Sequence, residues 1–171
     1  MTAKYKNKYR IASARLQSWD YSSNGAYFIT ICTARRKHYF GEIRGGKMYL
    51  SEIGKKAREY WLEIPNHYPF VKLDEFIVMP DHIHGIIVID KPIQTGHAVE
   101  TRHAVETGHA PSVSQNTISD MVGSFKSSLT KWCNENKLPF RWQSRFHDHI
   151  IRGNNELQRI RNYIINNPAN W

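Results

Sequence analysis

Acidic residues are scarce in this 171-residue chain: 15 Asp and Glu stand against 24 Lys and Arg, for a formal charge of +9. That imbalance argues against an acidic surface and for a polyanionic partner, of which nucleic acid is the commonest. The first fifteen residues carry Lys4, Lys6, Lys8, Arg10 and Arg15 and no acid at all. They read as a basic arm, fit to follow a phosphate backbone or simply to be solvated. Cysteine is nearly absent. Cys32 and Cys133 have no CxxC spacing and make no disulfide framework, and both fall in apolar-periodic segments that suit buried free thiols. Long apolar runs are lacking too: none approaches the roughly 20 residues that span a bilayer. The opening MTAKYKNKYR has no apolar stretch behind its charges. No membrane partner and no secretory signal are expected, and the expected location is a reducing cytoplasm, alongside the nucleoid.

What is present is an ordinary globular composition, 40% hydrophobic and 23% charged, in a length that suits one domain with a real core. Residues 1–26 read as the arm and 27–171 as a single domain. Tyr27–Thr33 is β-branched and aromatic and reads as a strand. Gly45-Gly46 is a turn before a short strand, Lys47–Leu50. Ser51 caps a helix with a stripe of Ile53, Ala57, Tyr60, Trp61 and Ile64, ended by Pro65. Leu73–Met79 and His82–Ile89 are strands, the second apolar on both faces and therefore central. Thr117 with Asp120 forms a capping box for a helix that buries Ile118, Met121, Val122, Phe125, Leu129 and Trp132. Phe146–Arg152 is the last strand, and a final helix turns Leu157, Ile160 and Ile164 inward before Pro168. This order predicts an α+β fold, a mainly antiparallel ferredoxin-like (RRM-like) sheet with the helices packed on one face.

One segment does not fit the pattern. Residues 95–112 read TGHAVE, TRHAVE, TGHAPS. The period is too short for a structural repeat and builds no apolar face, so it is a low-complexity loop insertion. Its histidines, His97, His103 and His109, are weak metal candidates beside the simpler account of a tolerated expansion.

The chemistry begins at His82-Ile83-His84. On a strand, residues two apart share a face, so the two imidazoles stand side by side and can converge on one metal ion; the alternative is a plain pair of surface histidines, which the apolar central strand argues against. Two nitrogen ligands leave positions open for phosphate oxygens and water. Tyr163 lies on the final helix, with Arg159 four residues before it and Asn167 four after, on one face. A phenol is a competent nucleophile, and Asn167 offers a carboxamide oxygen to the same ion. The alternative for Tyr163 is an amphipathic residue at the core edge, and for Asn167 a helix-terminal residue before proline. His147 and His149 also alternate on one strand and form a rival pair.

These blocks, MPDHIHGIIVI, then WQSRFHDHIIR, then YIINNP, resemble the single-tyrosine HUH transposases, in particular the REP-associated tyrosine transposases. The resemblance runs from about Tyr27 to the C-terminus, apart from the hexapeptide insertion. It implies metal-dependent cleavage and joining of single-stranded DNA at hairpins, with a 5′-phosphotyrosine intermediate and a free 3′-OH. It makes Tyr163 the nucleophile and His82, His84 and Asn167 the ligands of a divalent ion, Mg2+ or Mn2+. Mobile-element relatives carry glutamine where this chain has Asn167. The expected partner is single-stranded DNA with hairpin structure, bound by a monomer or a homodimer. Candidate DNA contacts are Arg35, Arg36, Lys126, Lys131, Arg141 and Arg145, with Trp142 either stacking on an unpaired base or packing in the core. Two other functions stay open on the residues alone: a non-catalytic module that binds single-stranded DNA or RNA, and a hydrolase acting through activated water.

Overall fold

The structure, a computed structural model, describes residues 19–92 and 116–171 together with the backbone of two short strands, β1 (Lys4–Tyr5) and β2 (Lys8–Tyr9), which pair antiparallel. The hexapeptide insertion and most of the basic arm lie outside the described residues.

Four strands make the main sheet: β3 (Gly25–Cys32), β6 (Val71–Val78), β7 (His82–Ile89) and β8 (His147–Ile151), in the spatial order β6-β7-β3-β8 with every neighbouring pair antiparallel. Two helices make the crossovers. α1 (Glu52–Leu62) joins β3 to β6, and α3 (Ile118–Glu135) joins β7 to β8. The result is a βαββαβ unit, the expected α+β, ferredoxin-like arrangement. The sequence marks the helix starts plainly. The Ser51 hydroxyl accepts from the Gly54 amide at 3.1 Å, and Thr117 and Asp120 exchange the two hydrogen bonds of a capping box.

Three elements decorate this unit. A hairpin, β4 (Gly41–Arg44) with β5 (Lys47–Leu50), is inserted before α1, and its Gly45-Gly46 turn has positive φ at both residues, as a tight hairpin requires. A short turn of helix, α2 (Ile64–His67), follows α1. The last helix, α4 (Asn154–Ile165), ends in a 3-10 turn over Pro168–Asn170.

The alternation of side chains along the strands divides the protein into two cores. Tyr27, Ile29, Ile31, Ile83 and Ile87 point to α1 and α3, where Trp61, Phe125, Leu129 and Cys133 complete the main core. Gly85 sits where β7 passes under Trp61: a Cβ there would come within 2.3 Å of the indole, so the close approach requires glycine. The opposite face carries a smaller cluster of Ile86, Ile151, Ile160 and Ile164. The crossover helices α1 and α3 and the short α2, through Ile64, share the main-core face, so the expectation of all helices on one side is corrected for α4 alone. The two crossovers fill one face, and the apolar stripe of α4 finds its remaining apolar surface on the other.

Cys133 is buried, whereas Cys32 is only partly so; both are free. Among the described residues, no helix is long and apolar enough to cross a membrane.

Candidate active site

The face that receives α4 also receives the histidine pair. His82 and His84 occupy even positions of β7, directly across from Cys32 and Thr30 of β3. Both are buried, at 5% and 6% exposure, and their ring centroids are 4.4 Å apart. Buried imidazoles need partners, and each finds one at Nδ1. His82 Nδ1 meets Asp81 Oδ1 at 2.6 Å, and His84 Nδ1 meets Thr30 Oγ1 at 2.9 Å. Those bonds orient both rings and leave the two Nε2 atoms for a second partner.

α4 supplies the tyrosine. Ile160 and Ile164 seat the helix on Ile86 and Ile151, and the Arg161 guanidinium grips Asp74 of β6 through two hydrogen bonds, one of 2.8 Å from Nε to Oδ1. This seating turns Tyr163 toward β7. Its hydroxyl lies 3.3 Å from His84 Nε2, and its ring meets Phe28 edge-on. The ring is nevertheless 52% exposed, so Tyr163 is not a core residue. Asn167, one turn on, joins Thr30, Arg36, His82, His84, Tyr163, Asn170 and Trp171 around a cleft of about 320 Å³. Arg159, one turn before Tyr163 on α4, is exposed, lies 3.5 Å from Glu156 and does not line the cleft.

Burial dominates the electrostatics. It pushes both imidazoles below their ordinary value, His82 against the opposing pull of Asp81, and His84 to about 3 with help from His82 and Arg36. Both rings are therefore neutral, the form that carries a free lone pair for a metal ion. Such a weakly basic imidazole is also a poor proton acceptor, so His84 suits lone-pair donation better than general-base catalysis. Among the described residues, no group of three or more His, Cys, Asp or Glu forms a ready metal cage. The side chains lining this cleft include the two imidazoles and the carboxamides of Asn167 and Asn170.

Of the seven basic or aromatic residues expected to touch DNA, only Arg36 lines this cleft. Lys126 spends its ammonium on the carbonyls of Gln143 and Arg145, at 2.9 and 3.3 Å, and burial lowers its pKa. Trp142 donates to the Lys126 carbonyl at 3.1 Å and packs among Phe40, Phe125 and Phe140, the core alternative of its two readings. Lys131 sits on α3, which packs on the far side of the sheet, 3.9 Å from Glu135. Arg35, Arg141 and Arg145 are exposed outside the cleft. His149 is bonded to Glu156 at 2.9 Å rather than paired with His147 on an ion.

Sequence reasoning passed over four residues here. Thr30 becomes visible only through strand register. Trp171, 51% exposed, stacks against His82 at a centroid distance of 5.9 Å, and Asn170 lies beside it. Asp81 is the one that carried a signal, since it directly precedes the His-Ile-His motif.

Comparisons with known proteins bear on family and fold. No family model matches the chain. It is 36% identical over 173 residues to an uncharacterized protein of Haemophilus influenzae, covering 100% of this chain and 96% of that one. A second protein of the same organism, named "Putative REP-associated tyrosine transposase", is 26% identical over 157 residues, covering 88% of this chain and 73% of its own length. Among solved structures, a REP-associated tyrosine transposase bound to a REP hairpin superimposes with a TM-score of 0.62 at 19% identity, over 94% of this chain and 74% of that one, a likeness of fold.

Proposed function

The chain belongs to the REP-associated tyrosine transposase family, and from that premise we propose that it cuts and rejoins single-stranded DNA beside hairpins, with Tyr163 as the nucleophile. The observation that carries this reading is the 3.3 Å approach of the Tyr163 hydroxyl to His84 Nε2, made within one chain. A formal net charge of +9 supports a DNA partner. The hairpin is suggested by the fold relative that binds one.

In the proposed reaction the Tyr163 oxygen attacks the scissile phosphorus. The P–O3′ bond breaks, the phenolic proton passes to solvent, and the departing 3′ oxygen takes up a proton as a free 3′-OH. The 5′-phosphate remains on Tyr163. One phosphodiester replaces another, so the bond is conserved for joining to a second 3′-OH. Each side chain has a task. Seating of α4 by Arg161 and by Ile160 and Ile164 holds the phenol at the cleft. Thr30 fixes the His84 ring, and the half-exposed face of Tyr163 stays open to a DNA strand. His82 Nε2, His84 Nε2 and the Asn167 side chain would hold a divalent ion, magnesium or manganese, which supplies charge neutralisation at the phosphate when bound.

The test is an end-labelled hairpin oligonucleotide incubated with manganese, with and without EDTA, and run on a denaturing gel. The expected result is a shortened strand and a slower, protease-sensitive species, both lost with EDTA. Binding without cleavage would assign the chain to the non-catalytic modules, and a shortened strand without a protein adduct would assign it to the hydrolases.

A further inference from the structure

Behind the cleft, in contact with two of its lining residues, His82 and Arg36, lies the buried Asp81. Asp81 is 4% exposed and is held at four points. Its Oδ1 meets His82 Nδ1 at 2.6 Å and its Oδ2 meets Arg36 Nε at 2.8 Å. Its carbonyl accepts from the Thr33 amide at 2.9 Å and from the Thr33 hydroxyl at 3.0 Å, and Thr33 is itself fully buried. Asp81 is thereby locked between the end of β3 and the start of β7.

Arg36 is held from the other side. It follows Arg35 in a turn where both residues have positive φ, 55° and 54°, a backbone conformation that side chains disfavour. Its Nη1 donates to Cys32 Sγ at 2.9 Å. The side chain is still 52% exposed and lines the cleft beside His82, His84 and Tyr163. A guanidinium has five N–H donors in a planar fork. With Nε on Asp81 and Nη1 on Cys32, its far edge is left for an anion.

We propose that Asp81 is the positioning residue that assembles both halves of this site, one carboxylate oxygen setting the His82 ring for a metal ion and the other aiming Arg36 at the phosphate to be cut. The inference rests on the reading of this cleft as a metal-bearing cleavage site. A carboxylate on Nδ1 fixes the tautomer that carries its proton there and raises the basicity of Nε2. The arrangement also handles charge. Asp81 alone would repel a phosphate; paired with Arg36 it adds no net charge, and the Arg36 edge facing the cleft is positive. Arg36 is then a residue that touches substrate, and Asp81 acts through Arg36 and His82.

The experiment uses the full chain without DNA. Manganese binding is measured by electron paramagnetic resonance for the wild type, Asp81→Asn and Arg36→Gln, alongside thermal melts. Asp81→Asn should weaken manganese binding about tenfold or more, and Arg36→Gln should not weaken it. With a hairpin substrate, Arg36→Gln should lower kcat more than it raises KM. Nitrogen-15 spectra of the wild-type imidazoles give a reading independent of any variant's folding: His82 should be protonated at Nδ1. A folded Asp81→Asn protein that binds manganese as tightly as the wild type, or His82 protonated at Nε2, would overturn the inference and leave Asp81 a structural ion pair. A wild type that binds no manganese would remove the underlying reading of the cleft, a result distinct from either.

Discussion

On one face of the sheet, Tyr27, Ile29, Ile31, Ile83 and Ile87 meet two helices in a continuous apolar layer. On the other, Phe28, Thr30, His82 and His84 alternate with them and meet α4 and the C-terminal turn that follows it, beside a cluster of four buried isoleucines. The same strands thus serve stability with one set of side chains and chemistry with the next, because their period is two. The site side is thinner: α4 buries Ile160 and Ile164, whereas α1 buries four residues and α3 six, so the helix bearing Tyr163 is expected to open more readily.

The comparison breaks most sharply at Tyr163. Tyr163→Phe should abolish the covalent DNA adduct while shifting unfolding free energy by no more than about 0.5 kcal/mol, as for an exposed site; adduct persisting on a gel would break the division. On the other face the pattern should invert. Trp61→Ala should cost about 3–5 kcal/mol in urea unfolding, because Trp61 is fully buried against Phe76 and Phe125. A loss of under 1 kcal/mol, measured the same way, would mean that this face does not carry stability.

Acid should reveal the buried imidazoles next. His82 and His84 titrate below their ordinary 6.5 when folded, so the unfolded chain binds more protons. Their contribution is intact above pH 6.5 and is lost as pH falls below it, for His84 down toward about 3, with a slope of up to roughly 1.4 kcal/mol per pH unit for each group. His84→Asn should flatten that slope in pH-dependent melts; an unchanged slope would place the imidazole in water. The smallest effect belongs to Arg161→Ala. The Arg161–Asp74 pair is partly exposed, so its loss should cost about 1 kcal/mol or less. Hydrogen exchange should rise in α4 and not in α1 or α3, and a uniform rise would erase the distinction between the faces.

Much of this was legible in the residues. β7 runs from His82 to Ile89 as its apolar character implies, and both helix caps stand where Ser51 and the Thr117–Asp120 pair put them. The strand Gly41–Arg44 was not expected, since its charged alternation resembles a solvated loop and only its partner hairpin strand orders it. Strand β6 begins at Val71, two residues before the apolar run suggested, because pairing with β7 decides its end. The face chosen by α4 was not legible either. Ile160 and Ile164 announce a buried stripe but not which surface it meets. At the site, the histidine pair stood out by residue type and spacing, Tyr163 was a candidate that the family resemblance singled out, and Thr30 and Trp171 enter only through register and the path of the chain.

The central claim is the identity of the attacking atom. Trapping the protein on a hairpin oligonucleotide, digesting both components and sequencing the modified peptide by mass spectrometry would locate the bond directly. The account predicts a nucleotide 5′-phosphate on Tyr163 and on no other residue. A phosphate on a different tyrosine, or cleaved DNA with every peptide unmodified, would contradict it.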